Sequence, residues 1–332
     1  MFPPLSIVIP CHNRADLLRL CLASIRRHAS RALQLLVVDD GSEASQVSHL
    51  AEQFGAEAVR LPTRQGFCRA ANAGLRAASG EIVQLLNDDT EVESGWIEAV
   101  LPHFAQEKVA AVTPLVVQYP GGAAARIDSA GDTFHPLGFA RKRAHGKPSS
   151  SQPLTGGPVF GASGSSSFFR RSTFLEVGGL PEEFGAYFDD VDLSFRLRHA
   201  GYQVVFEPGS RVIHRVSSSH GPPRGDLLAI QSRNEEMVYW RNLRDWELLL
   251  TLPGHVAVLT AKAMLRAAEG QWQPWWAGRL AAWREMGQIL HHRRRILPRR
   301  GTRPSIPKVT TPTADREDRH ASTGRDHHGL EV

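Results

Sequence analysis

The sequence predicts an α/β fold: a Rossmann-like, mostly parallel sheet flanked by helices, followed by a helical C-terminal extension. Three observations carry this. Through roughly the first ninety residues, short apolar, β-branched runs alternate with segments of helical apolar spacing. Each run ends in a polar, often acidic, cluster. From Asp226 to His292 the strand rhythm stops and the pattern is helical throughout.

Taken in order, residues 5–10 form a continuous apolar run, the pattern of a strand covered on both faces. Residues 16–28 space Leu17, Leu20, Cys21 and Ile25 as one face of a helix. Residues 33–39 (LQLLVVD) are a second buried strand, ended by Gly41-Ser42, and 56–61 a weaker third. An alanine-rich helix over 66–79 leads into a fourth strand, 81–86 (EIVQLL), which runs into Asn87-Asp88-Asp89. A helix is expected near 96–106, a strand at 109–117, and loop over the Gly-, Ser-, Ala- and Pro-rich stretch 118–165. A helix at 189–200 and a strand at 202–207 complete the sheet region. Residues 301–332, poor in apolar residues, read as a disordered tail.

Bulk properties narrow the function. With 332 residues, 42% of them apolar, the chain suffices for one large α/β domain and an appendage. Three cysteines without a CxxC pair argue against a disulfide framework or a zinc cluster, and suit a reducing cytoplasm. The opening MFPPLSIVIP lacks the basic start of a signal peptide. The longest apolar stretch, 246–265, is interrupted by Glu247, Pro253, His255 and Lys262, so no transmembrane helix is expected. Basic charge concentrates at Arg293, Arg294, Arg295, Arg299, Arg300 and Arg303, which suits either contact with anionic lipid or a solvated tail. No nucleic-acid-binding motif accompanies it, so no nucleic-acid partner is expected.

In parallel sheets ligands bind at the carboxyl ends of the strands, where the polar clusters fall. Pro10-Cys11-His12-Asn13-Arg14 follows the first strand and offers a turn for a base to lie against. Asp39-Asp40-Gly41-Ser42 can accept hydrogen bonds from a ribose or base, although an Asx turn and helix cap would look the same. Asp88 and Asp89 end an apolar strand side by side, where a divalent cation relieves their repulsion; oxygen ligands suit Mg²⁺ or Mn²⁺. Asp189, Asp190 and Asp192 start a helix, favourable for its dipole in any case. Asp192 is spaced to pair with Arg196, which leaves Asp190 freer to act as a general base. His214, closing a β-like stretch, can complete a carboxylate–imidazole metal set. A dinucleotide dehydrogenase is excluded by the missing GxGxxG after the first strand. A nucleotidyltransferase is disfavoured because PCHNR stands where a glycine-rich, basic phosphate loop belongs.

The segments SIVIPCHNR, VVDDGS, GFCRAANAGLRAASGEIVQLLNDDTEV and GASGSSSFFRRSTFLEVGGLPEEFGAYFDDVDLSFRLRHAGYQVVFEPGSRVIH, in this order, resemble family 2 of the inverting glycosyltransferases, which have the GT-A fold. The resemblance is nearest to the rhamnosyltransferase-like branch. It implies a transferase domain over 1–222, a Trp/Arg-rich helical extension over 223–300, and the tail beyond. It further implies that Pro10, His12, Asp39, Asp40, Asn72 and Asp88 lie at the nucleotide, and that Asn87-Asp88-Asp89 stands at the family's DXD position. By the same resemblance Asp89 and His214 hold Mg²⁺ or Mn²⁺, Asp190 is the catalytic base, and the stretch 161–167 borders the acceptor. The implied reaction moves a sugar from a nucleoside-diphosphate sugar to a glycan or lipid-linked acceptor in cell-surface polysaccharide or glycolipid assembly. The expected location is the cytoplasm or the inner face of the plasma membrane, with peripheral contact suggested by six tryptophans interleaved with arginines. A catalytically silent glycan- or nucleotide-binding protein on the same fold is the alternative.

Overall fold

The computed structural model describes residues 3–122, 125–150, 154–215 and 225–297. The expected tail, and Arg299, Arg300 and Arg303, lie outside the described residues.

The chain opens with β1 (Leu5–Cys11), α1 (Ala15–His28), β2 (Gln34–Asp39), α2 (Gln46–Gln53), β3 (Glu57–Arg60), α3 (Phe67–Ala77) and β4 (Ile82–Leu86). These strands pair in parallel in the order β4-β1-β2-β3. The apolar runs of β1, β2 and β4 are buried on both faces, as continuous hydrophobic strands require, whereas the edge strand β3 is largely exposed. α1 buries Leu18, Cys21, Leu22 and Ile25 and exposes Arg19, Arg26 and Arg27. Then follow β5 (Thr90–Val92), β6 (Val109–Gln118), β7 (Ile127–Ser129), β8 (Asp132–His135), β9 (Phe139–Lys142), β10 (Gly157–Val159) and β11 (Ser166–Arg170). α4 (Arg171–Glu176), α5 (Asp189–His199) and β12 (Gln203–His214) end the sheet region. The main sheet runs β10-β12-β6-β11-β4-β1-β2-β3, with β5 on β12 and β7 on β6. Four helices follow: α6 (Asp226–Asn242), α7 (Asp245–Ala268), α8 (Trp272–Arg284) and α9 (Met286–Ile296).

Three expectations need correction. β11 lies antiparallel to both its neighbours, so the parallel order is broken in mid-sheet. Residues 96–106 do not form an α-helix but turns and one 3₁₀ segment, Leu101–Ala105, with Pro102 at its start. The stretch expected as loop, 118–165, holds four strands of three or four residues each, too short to show a periodicity. The expected absence of a transmembrane helix also meets a contrary observation. α7 has 24 residues and a mean hydropathy of 1.6 over its best 18-residue window, long and apolar enough to cross a bilayer.

Candidate active site

The site forms along the carboxyl ends of β1, β2 and β4. β2 delivers Asp39 and Asp40, and both are committed to the scaffold. Asp39 is fully buried; Oδ1 accepts the Ser42 amide at 2.9 Å, and Oδ2 accepts Ser48 Oγ and Arg60 Nη1, both at 2.9 Å. Asp40 accepts the amides of Gln65 at 2.7 Å and Gly66 at 2.9 Å, and so pins the turn before α3. Gly41 has φ +63°, and a Cβ there would fall 2.3 Å from the Thr63 carbonyl carbon, so only glycine permits this crossing. His12 Nδ1 donates to the Asp40 carbonyl at 2.9 Å, while Pro10 is buried within β1. Asn72 uses both amide ends on the Leu180 backbone, at 2.8 and 2.9 Å, tying α3 to the approach to α5. Pro10, His12, Asp39 and Asp40 thus share one strand edge, whereas Asn72 faces the packing between α3 and residue 180.

β4 delivers Asn87-Asp88-Asp89. Asp88 is 8% and Asp89 5% exposed. Arg14 Nη1 stands 3.6 Å from Asp88 Oδ1 and 3.6 Å from Asp89 Oδ2. Burial pushes Asp88 up to about 6; Arg14 opposes this and the Asp89 charge adds to it. The side-chain oxygen of Asn87 is buried without a hydrogen-bond partner. Pairing of β5 with β12 sets His214 opposite Thr90, and His214 Nε2 lies 3.3 Å from Asp89 Oδ1. The other ring nitrogen, Nδ1, donates to Asp128 Oδ2 at 2.9 Å. Asp128 is fully buried and also accepts Lys142 Nζ on both oxygens, at 3.0 and 2.9 Å. Burial acts against charge on both groups. Even so, the two flanking carboxylates hold His214 up to about 9, and His214 with Lys142 holds Asp128 down to about 2.

α5 delivers Asp190. Its Oδ2 accepts the Gly164 amide at 2.9 Å and its Oδ1 the Val191 amide at 2.8 Å. One residue on, the Ser165 carbonyl accepts the Asn87 amide at 3.0 Å. A two-residue bridge therefore joins the half-buried Asp190 to the Asp88-Asp89 turn. A Cβ on Gly164 would meet Asp190 Oδ2 at 2.9 Å, so glycine is what allows the carboxylate this close. Asp192, fully buried, accepts Arg196 Nε at 2.8 Å and Asn242 Nδ2 at 2.9 Å, with Arg241 Nε at 3.1 Å. The expected Asp192–Arg196 pair is present, and Asp192 is spent on it. Burial raises Asp190; Asp189 and Asp132 are raised well above the ordinary range by burial and by the Asp190 charge. The turn before α5 carries left-handed Tyr187 and Phe188, φ +66° and +62°. Asn234 Nδ2 of α6 faces the carbonyls of Phe184, Ala186 and Tyr187 at 2.8–3.0 Å and holds that turn.

Asp128 and Asp132 escaped the sequence reading. Both lie in the short strands of 118–165, and neither sits in an acidic pair at the end of a long apolar run. Among the described residues no three His, Cys, Asp or Glu side chains gather to hold a metal by themselves. Asp89 and His214 supply two ligands of suitable chemistry, and Asn87, two residues before Asp89 in the same turn, carries a buried unpartnered oxygen. That set fits a divalent cation which takes its remaining oxygens from a diphosphate.

The sequence profile of Glycosyl transferase family 2 matches residues 6–178. A pre-mycofactocin glycosyltransferase of Mycobacterium tuberculosis is 30% identical over 213 residues, 63% of this chain and 42% of the relative. An N-acetylglucosaminyl-diphospho-decaprenol L-rhamnosyltransferase of the same organism is 32% identical over 128 residues, 34% of this chain and 42% of the relative. This chain thus spans about two fifths of the length of either. The crystal structure of GalNAc-T7 with UDP, GalNAc and Mn²⁺ superimposes with a TM-score of 0.57 at 17% identity, over 71% of this chain and 48% of that one. At that identity the likeness shows the fold alone, and the fold is GT-A.

Proposed function

The chain belongs to glycosyl transferase family 2, and from that premise we propose that it moves one sugar from a nucleoside-diphosphate sugar to an acceptor hydroxyl, with inversion at the anomeric carbon. The observation that carries the reading is the bridge from Asp190 through Gly164 and Ser165 to the Asn87-Asp88-Asp89 turn, which ties a carboxylate held only by backbone amides to the turn that bears the acidic pair.

Asp190 takes the proton of the acceptor hydroxyl as its oxygen attacks the anomeric carbon. The bond from that carbon to the diphosphate oxygen breaks, and the nucleoside diphosphate leaves with the bonding electrons. The amides of Gly164 and Val191 aim the carboxylate, and burial raises its pKa, which strengthens it as a base. Asp89 and His214 would hold Mg²⁺ or Mn²⁺, and such an ion supplies charge neutralisation at the diphosphate. Asp128 keeps the His214 Nδ1 proton in place, so that Nε2 faces Asp89. Arg14, 3.6 Å from both carboxylates, offers further positive charge at the same edge. Pro10, His12 and the backbone of the Asp39-Asp40 turn form the wall for the base.

The donor we favour is a deoxyhexose nucleotide of the rhamnosyl type, and the acceptor a glycan or lipid-linked glycan of cell-envelope assembly. The resemblance in sequence and the rhamnosyltransferase relative support this. The test is nucleotide release from a panel of sugar nucleotides with Mn²⁺, Mg²⁺ or EDTA. Turnover of one donor, stopped by EDTA and by Asp190→Asn, is expected. Failure of every sugar nucleotide to bind in the presence of metal would overturn the reading in favour of a silent binding protein.

A further inference from the structure

α7 is amphipathic in the wrong sense for a helix in water. α1 buries Leu18, Leu22 and Ile25 and turns Arg19, Arg26 and Arg27 outward; α7 turns polar side chains inward and Leu249 and Leu250 outward. Its inward side is polar. Thr251 Oγ1 meets Tyr239 OH at 3.0 Å, and the His255 ring stacks on Tyr239 at 3.7 Å between centroids. His255 Nδ1 donates to the Leu137 carbonyl at 2.8 Å, and Lys262 Nζ donates to Glu235 at 2.5 Å. Its outward side is apolar: Leu249 is 76%, Leu250 71%, Met264 65% and Val256 53% exposed. The only charged residues from Trp246 to Leu265 are Glu247 and Lys262. Both are half-buried and paired, Glu247 with the Arg244 amide at 2.6 Å. α8 continues the surface with exposed Trp272 and Trp276, stacked at 5.5 Å, and Trp283. Trp275 does not belong to it, being buried against Arg279.

We propose that α7 and α8 seat this protein on an anionic lipid bilayer, with α7 lying in the plane of the interface and its Leu249–Leu265 face in the hydrocarbon. An apolar outer face of this size marks a partner surface. Three observations select lipid. Tryptophans stand at its start (Trp246) and along α8, the side chain that favours the bilayer interface. Residues 271–297 carry five arginines against one acidic residue, with Arg284, Arg294 and Arg295 exposed, which attracts anionic headgroups and repels a second copy docked on the same face. The chain's own C-terminal segment, 298–332, has few large apolar side chains to offer as a cover. The inward polar side selects lying over spanning. A membrane-crossing α7 would carry the Glu235–Lys262 and Glu236–Arg279 ion pairs into hydrocarbon. In-plane binding leaves them in the protein and sinks only the outer face, about 5–10 Å deep.

α6 connects this seat to the site, since its Asn234 and Asn242 hold the turn and the helix that present Asp190. The proposal does not depend on the transferase reading. Its test is flotation of the full chain with vesicles of phosphatidylcholine alone, or with phosphatidylglycerol added. The chain should float with the anionic vesicles and be released by an alkaline carbonate wash. Leu249→Asp/Leu250→Asp should lower its partition at least about ten-fold at an unchanged melting temperature. Should that variant fail to fold, Trp276→Ser is expected to weaken partition in the same direction, and bromine-labelled acyl chains should quench the wild-type tryptophans. Wild type that ignores both vesicle types, or a folded variant that floats as well as wild type, overturns the proposal. Retention through the carbonate wash overturns the in-plane arrangement. A wild-type dimer dissociated by the double variant assigns the face to a second copy instead.

Discussion

β2 and β4 flank β1 on opposite sides, run parallel to it, and each ends in a pair of aspartates. In VVDDGS the pair is saturated from within: Asp39 collects an amide, a hydroxyl and a guanidinium, and Asp40 collects two amides. In LLNDDT the cationic side chains stand farther off, Arg14 at 3.6 Å and His214 at 3.3 Å, and burial lifts Asp88 to about 6. The contrast lies in what the following loop brings back. After β2 it returns amides that discharge the carboxylates. After β4 it returns a short strand, β5, whose pairing with β12 brings in one histidine. The first turn is thereby a wall, whereas the second holds its carboxylates against side-chain cations at longer range, Arg14 and His214.

The largest effect that would test this division is at Asp190, the carboxylate tied to the second turn through Gly164 and Ser165. Asp190→Asn should cut kcat by about 10³-fold with nucleotide affinity unchanged, because only proton removal is lost. Equal losses in kcat and nucleotide binding would make it a binding residue. Next, Asp89→Asn or EDTA should reduce turnover by about 10²-fold, whereas Asp39→Asn should act first on the melting temperature. If Asp39→Asn instead raises the donor KM at constant melting temperature, the two turns are alike and the contrast fails.

Asp128→Asn comes third. It should weaken Mn²⁺ binding by about 10–100-fold, read by titration calorimetry, and excess metal should restore the rate. A rate loss that metal does not restore would remove Asp128 from this role. Fourth, Asp40→Ala leaves the Gln65 and Gly66 amides unsatisfied and should cost about 1–3 kcal/mol of stability, measured by denaturant unfolding. A stability loss much below that range would mean the loop re-forms its bonds elsewhere.

The fold and the site differ in how far the residues announced them. The parallel half was legible because β1, β2 and β4 are continuous apolar runs, and buried strands need nothing more. Helix α5 was legible as well: three acids mark its start, and the arginine four residues on from Asp192 pairs with it as the spacing predicts. Asp128 was invisible. It sits in a three-residue strand whose place is set by pairing to β6 across a register shift, a long-range event with no local pattern. Nor could composition show that Asp39 and Asn72 would be used up by Ser48, Arg60 and Leu180, since those contacts cross from 9 to 108 residues of chain. α7 misled for a related reason. Its polar residues interrupt the apolar run in sequence, yet in space they gather on one side and leave the other unbroken.

The smallest expected effect separates the sheet region from the helices that hold α5. His292 lies beside Arg241, which donates to its Nδ1 at 2.6 Å. Burial and the neighbouring Arg241 charge push it from the ordinary 6.5 down to about 3, although Asp192 pulls the other way. The unfolded chain therefore binds a proton that the folded chain refuses, and stability falls as pH drops from 6.5 toward 3. Burial would raise Glu236, but His255 and Arg279 hold it down to about 2 from 4.5, so its contribution is lost as pH falls from 4.5 toward 2. Acid should thus loosen α6, α8 and α9 in two steps, the first belonging to His292. Melting temperatures followed by circular dichroism should drop modestly between about pH 7 and pH 5. His292→Gln, which keeps an acceptor for Arg241 but does not titrate, should flatten that drop. An unchanged slope in the variant would hand the first step to another histidine, with His199, lowered by burial against α6, the next to replace.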